Sequence, residues 1–304
     1  MTPAISADGL TRRYRGHLAL DGATFNIEAG AITGLLGRNG AGKTTLMRII
    51  AGQEFPSAGR VKVLGDSPAE NDRVLRRMVF IREDQSYPDF KIGHALRTAA
   101  LFYPNWCGEL ADALLADFAL PPDRAIKKLS RGMRSALGIV IGLAARAEVT
   151  MFDEPYTGLD AVARQLFYDR LLAEYAEHPR TMLLSTHLID EAAGLLERVL
   201  VMDRGRVVLD AVADDLRGVA TRVSGPVLAV EEFAAGHAVW DRRRLGSQES
   251  VVIVGPLDEA ERAPARTTQL ALEPLSLQEL VVHAAGRTVP EPPLGSAQRI
   301  RTSA

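Results

Sequence analysis

The chain reads as an α/β protein built on a largely parallel core sheet, and three observations support this. Apolar runs alternate with segments of helical periodicity between residues 23 and 202, a Gly-rich loop joins one run to the helix after it, and residues 86–147 are helix-patterned without a strand. Residues 23–27 and 31–36 are the first strands, the second running into Gly37. At 45–51, Leu46, Met47, Ile49 and Ile50 recur at helical spacing and Gly52 stops the helix. Further apolar runs at 61–64, 78–81, 149–152, 182–185 and 199–202 read as strands, several buried on both faces. Between them, 95–102, 110–118, 131–145, 162–175 and 188–196 read as helices, so 86–147 is a helical insertion in the sheet domain.

The texture changes after residue 217, and the sheet domain is expected to occupy residues 1–218. Short β-like runs at 227–230 and 250–254 flank a polar turn at 242–249, where Arg242, Arg243 and Arg244 read as solvated. Ser276 followed three residues later by Glu279 is a capping box ahead of the apolar residues 280–282, which predicts a short helix. Residues 219–289 are therefore expected to form a small α+β extension, and the Pro-rich stretch 290–304 a disordered tail.

Composition narrows the function. With 47% hydrophobic and 24% charged residues over 304 positions, the chain has the balance of a globular protein with a sizeable core. Its 36 basic and 38 acidic residues leave a net charge of −2, which gives no overall drive toward nucleic acid or anionic lipid. Cys107 is the only cysteine, which excludes an internal disulfide and a Cys-based zinc site. Five of the six His residues, His17, His94, His178, His237 and His283, fit no ligand spacing. The longest charge-free stretches, 98–108 and 135–145, fall well short of the ~20 residues a spanning helix needs. No secretion signal precedes or follows Arg12, the first basic residue, so a cytoplasmic location is expected.

The chemistry begins at Gly37-Arg38-Asn39-Gly40-Ala41-Gly42-Lys43-Thr44, a G-x-x-x-x-G-K-T loop placed between a strand and a helix that opens near Thr45. Its glycines let successive backbone N–H groups turn toward phosphate oxygens and the helix N-terminus adds its dipole. Lys43 reaches the outer phosphates and Thr44 can ligate Mg2+. Residues 149–154 form an apolar strand ending in Asp153 and Glu154. Asp153 would hold Mg2+, and Glu154 would orient and deprotonate the attacking water, since phosphoryl transfer needs positioning and charge compensation. Ser130 is a good N-cap for the helix after it, and a capped helix N-terminus is an anion site.

In these motifs and their order, residues 14–187 resemble the ABC ATPase family. Leu129-Ser130-Arg131-Gly132-Met133 stands where the family carries Leu-Ser-Gly-Gly-Gln and departs from it at Arg131 and Met133. The resemblance implies a P-loop fold of the ABC type, with an antiparallel β subdomain beside the parallel sheet and the helical insertion. It implies that Tyr14 stacks on adenine and that Ser130 and Gly132 contact the γ-phosphate bound by the other protomer of a homodimer. Asp160, in Thr157-Gly158-Leu159-Asp160, would couple the two sites, and His187 would contact the γ-phosphate. The family's glutamine after the third core strand, which senses the γ-phosphate and the membrane subunit, corresponds by position to Glu83 and by residue type to Gln85, the two candidates there for a Mg2+ contact.

Met133 and residues 102–106 are similar to single-domain ATPases of bacterial drug, lipid or antibiotic-peptide exporters. Tyr87, Phe90, Phe102, Tyr103 and Trp106 either line a groove for a helix of a membrane subunit or pack the helical insertion. The resemblance thus implies an ATP- and Mg2+-dependent ATPase that powers separate membrane-spanning permease subunits. It would sit at the inner face of the cell membrane without a nucleic-acid partner. The rival expectation is a soluble ABC ATPase that acts without a membrane partner.

Overall fold

The computed structural model describes residues 3–257, 259, 261, 262, 265 and 268–284. The chain opens with a long hairpin, β1 (Ile5–Tyr14) and β2 (His17–Ile27), then β3 (Ile32–Gly37), α1 (Lys43–Ile50), β4 (Ala58–Val63), α2 (Asp72–Leu75) and β5 (Met78–Arg82). Three helices follow, α3 (Ile92–Phe102), α4 (Gly108–Asp117) and α5 (Arg131–Ala144). The chain then returns to the sheet through β6 (Val149–Asp153), α6 (Ala161–Glu177), β7 (Thr181–Ser185), α7 (Ile189–Ala192), β8 (Arg198–Asp203) and β9 (Arg206–Val212). Last come β10 (Ala220–Pro226), α8 (Val227–Ala234), β11 (Ala238–Leu245), β12 (Gln248–Val254), β13 (Ala271–Pro274) and a final helix at Leu277–Ala284, here α9.

The six-stranded central sheet has the order β5-β6-β7-β3-β8-β9, parallel except for β9 at its edge. Every residue of β3, β6 and β7 is buried, because both faces of the sheet are covered. Successive residues of a strand point to opposite faces, and two cores result. Phe152, Leu184 and Val201 enter the core shared with α3–α6, whereas Met151, Leu183 and Leu200 enter the one shared with α1 and the antiparallel sheet β2-β1-β4. Helix α5 buries all of Ala136–Ala144. Gly142 lets it close on the sheet, since a Cβ there would stand 2.5 Å from Phe152 Cε1.

The C-terminal sheet has the order β11-β12-β10-β13, with α8 packed on one face. Two sequence expectations fail here. Residues 227–230 are the first turn of α8 rather than a strand: Val227, Val230 and Ala234 form a buried helical stripe, of which Val230 and Ala234 pack with Val223, Val251 and Ile253 of the sheet. The polar turn expected at 242–249 is instead the end of β11 and the start of β12, joined at Gly246-Ser247. There Arg242 pairs with the buried Glu249 at 3.2 Å and Arg243 with Asp241 at 3.0 Å, so cross-strand and neighbouring carboxylates make an Arg-rich strand tolerable. The helix expected at 188–196 is confined to α7, and the expected disordered tail lies outside the described residues.

Candidate nucleotide site

The loop from β3 to α1 is the centre of the site. Gly37, Gly40 and Gly42 take φ of 147°, 81° and 104°, a left-handed run open to glycine that turns the backbone around a concave space. Arg38, Asn39, Gly40 and Thr44 are exposed, Thr45 is half-buried and Ala41 is buried. Lys43 is buried, and its Nζ donates to the carbonyls of Gly37 at 2.8 Å and Arg38 at 3.3 Å. Burial lowers the Lys43 pKa, and the charges of Glu154 and Asp153 oppose that shift, so the lysine feels both carboxylates. The turn between β8 and β9 braces the loop from behind, Gly205 N–H donating to the Ala41 carbonyl at 2.9 Å.

Asp153 closes β6 and is buried, opposite Ser185 of β7 in register. Its Oδ1 and the Ser185 hydroxyl find no hydrogen-bond partner among the described residues. Buried polar atoms are nearly always satisfied, so an orphaned carboxylate oxygen beside a phosphate loop fits a Mg2+ ion or its water. Among the described residues no three His, Cys, Asp or Glu side chains gather to hold a metal alone. A cation here would share its coordination with Thr44 and the nucleotide's phosphate oxygens.

Glu154 has φ +50°, with its N–H donating to the Ser185 carbonyl at 3.1 Å. Its Oε2 meets His187 Nδ1 at 2.6 Å, so two of the three predicted catalytic side chains, Glu154 and His187 but not Lys43, touch. Two residues that carry no motif signal join them: Tyr156, whose hydroxyl bonds both Glu154 and Thr186, and Thr186 itself. Only the fold, which sets the end of β7 beside the turn after β6, could reveal them.

A second group gathers on the β5 side of the sheet. Ser130 caps α5, accepting Met133 N–H at 3.2 Å, and Ser135 Oγ donates to the Thr157 carbonyl at 2.6 Å. Gly132 leaves its α-carbon bare against the Gly158 carbonyl. Asp160 caps α6 by accepting Ala163 N–H at 2.8 Å. Arg131 forms an ion pair with Glu83, so two positions that depart from the family pattern meet each other. Glu83 and Gln85 both line a groove of about 610 Å³ between the loop after β5 and the helical insertion. Of the five aromatics, Tyr87 lines this groove; Phe90, Tyr103 and Trp106 pack against the core, and Phe102 is exposed.

Tyr14 stands apart at the tip of β1. Its hydroxyl donates to Glu54, and the Arg12 guanidinium lies 4.7 Å from its ring centre.

A family model described as ABC transporter matches residues 20–157. The Nod factor export ATP-binding protein I of Ralstonia nicotianae is 34% identical over 214 residues, covering 68% of this chain and 66% of that protein. The daunorubicin/doxorubicin resistance ATP-binding protein of Streptomyces peucetius is 34% identical over 223 residues, covering 71% and 67%. The chain thus spans about two thirds of the length of each. A solved ATP-binding subunit of an ABC transporter superposes with a TM-score of 0.63 at 26% identity, over 70% of this chain and 91% of that one.

Proposed function

The chain belongs to the ABC transporter family of ATP-binding proteins, and on that premise we propose that it binds and hydrolyses ATP as the energy-supplying subunit of an exporter. One observation carries this reading: Lys43, Asp153, Glu154 and His187 converge where β3, β6 and β7 end, at the C-terminal edge of a parallel sheet. Backbone N–H groups of residues 37–42 and the ammonium of Lys43 hold the phosphates. Thr44 and Asp153 hold Mg2+, with Glu83 or Gln85 approaching from the groove. Mg2+ supplies neutralisation of charge developing on the transferred phosphoryl group. Glu154 orients the attacking water and takes its proton, and His187 holds the far side of the γ-phosphate.

Ser130 and Gly132 serve the nucleotide of a second copy, and Tyr14 carries the adenine. No helix among the described residues is long and apolar enough to cross a membrane, so the spanning path is assigned to separate permease subunits. The groove between the loop after β5 and the helical insertion is their docking place, which puts the chain at the inner face of the cell membrane. The export activities printed for the Nod factor and daunorubicin/doxorubicin relatives support an exporter.

The test is Glu154→Gln, which keeps shape and removes the base. Turnover is expected to fall by about 10²-fold or more, with ATP binding retained. Tagged Glu154→Gln protein, extracted from membranes with Mg-ATP, is expected to bring down a multispanning protein in near-equal amount. Steady-state hydrolysis retained in this variant would overturn Glu154 as the base.

A further inference from the structure

Tyr156 follows Glu154 by two residues in the turn after β6. It is 3% exposed, with its ring packed edge-on to His187 and tilted against Tyr168. Its hydroxyl bonds the Glu154 carboxylate, Thr186 Oγ1 at 2.6 Å and His187 N–H at 3.2 Å.

Proton counting gives these bonds one direction. A carboxylate only accepts, so the single phenolic proton goes to Glu154 Oε2. Thr186 must then donate its own proton to the Tyr156 oxygen, while its Oγ1 accepts Leu188 N–H at 2.9 Å. Burial, and next the nearby charge of Glu154, push the Tyr156 pKa far above the ordinary phenol range, so the hydroxyl stays a donor.

Glu154 needs such support. A side-chain-bearing residue at φ +50° is strained and persists only when its surroundings over-determine it. Ser185 holds its N–H, and the N–H and hydroxyl of Thr157 hold its carbonyl at 3.3 and 3.0 Å, but these contacts fix the backbone alone. The carboxylate is fixed by Tyr156 and His187, both on Oε2, which leaves Oε1 without a partner among the described residues.

We propose that Tyr156 is a positioning residue for ATP hydrolysis: its buried hydroxyl locks Glu154 Oε2 to the segment carrying His187, so that Oε1 is the oxygen presented to the attacking water. The proposal rests on the reading of Glu154 as general base. It gives Tyr156 no proton to transfer, since the hydroxyl keeps its proton throughout, and it ties alignment of the base to the position of the 186–188 segment.

The test is Tyr156→Phe, which keeps the ring in its packing and removes only the hydroxyl. kcat is expected to fall about 10-fold, as for loss of one charge-assisted hydrogen bond felt in the transition state, with KM for ATP unchanged and only a small fall in thermal midpoint, since Thr186 and His187 N–H lose an acceptor. In single-turnover assays the double variant Y156F/E154Q is expected to be no slower than E154Q alone, because a residue that acts through Glu154 has nothing further to remove. Wild-type kcat in Y156F would overturn the proposal. So would a parallel change in KM and thermal midpoint, the mark of a structural role, or an additive double variant. Turnover retained in E154Q would remove the base and with it the proposal, whereas turnover lost in E154Q but kept in Y156F would remove Tyr156 alone.

Discussion

Glu174 is a carboxylate with almost no access to water, and it survives there because two guanidiniums share it. Its Oε1 accepts from Arg146 at 2.8 Å and from Arg180 at 3.2 Å, and its Oε2 accepts again from Arg146 at 3.2 Å. Arg180 is itself buried and also donates to the carbonyls of His178 and Leu143 and to Thr150 Oγ1. Burial lowers the Arg180 pKa, and the charge and hydrogen bond of Glu174 counter that shift. The cluster sews together the end of α5, the last turn of α6 and the approach to β7, the strand that delivers His187. Breaking such a pair strands a buried charge, which costs about 3–5 kcal/mol. Glu174→Gln is therefore expected to lower unfolding stability in urea toward the smaller of these values, since Arg146 is partly exposed and can turn to water. Its KM for ATP is expected to hold. An unchanged urea midpoint would mean that solvent already screens the cluster.

At the scale of elements, α9 shows what local sequence can and cannot settle. The capping box was readable from two residues, and it forms: Ser276 N–H donates to Glu279 Oε2 at 3.0 Å and Glu279 N–H to Ser276 Oγ at 3.3 Å. What the helix docks on was not readable, because Arg222 of β10 and Asp190 of α7 are distant in the chain. Arg222 reaches Glu279 Oε1 at 2.6 Å, and Asp190 Oδ1 accepts Gln278 N–H at 3.3 Å, three residues beyond His187.

Burial acts against the charge of Glu279, but the Ser276 N–H and Arg222 outweigh it and hold its pKa below the ordinary value of 4.5. A lowered folded pKa means that the stabilisation is fully present above 4.5 and disappears as pH falls through the lower folded value. The stability gap between wild type and Glu279→Gln, read from urea midpoints, is expected to be full at neutral pH and to close on acidification below that value. A gap independent of pH would make Glu279 a packing residue only.

The parallel strands were readable because each is a continuous apolar run. Helix α8 was not: its four opening residues, Val-Leu-Ala-Val, carry β-type character, and only the sheet face beneath selects the helical stripe. Strand β1 was missed because Gly9 and two arginines break its alternation. In the site, the loop, Asp153, Glu154 and His187 announce themselves by motif, whereas Tyr156 has only its geometry.

For the whole molecule, the candidate contacts fall into two groups on the central sheet. The phosphate loop follows β3, and Asp153, Glu154 and His187 follow β6 and β7 beside it. Ser130 is tied through Arg131 to Glu83, just past β5, three strands from β3. At ~4.8 Å between neighbouring strands that is about 14 Å between strand axes, a separation that favours a short serine side chain serving a nucleotide other than the one cradled at residue 43. Its helix N-terminus is nevertheless capped, exposed and held in place by Ser135 and Gly132 against the turn at 157–160. Under the proposed function, such a preorganised anion site would be completed by the nucleotide of a second copy, turned head to tail so that each loop faces the other's Ser130.

Glu154→Gln protein, which holds ATP without consuming it, is expected to run as a dimer in light scattering with Mg-ATP and as a monomer with ADP. Adding Ser130→Glu sets a carboxylate against the partner's γ-phosphate and leaves each phosphate loop intact. It is expected to abolish the ATP-dependent dimer while each copy still binds ATP. A dimer that survives this charge would place the second nucleotide contact elsewhere on the molecule.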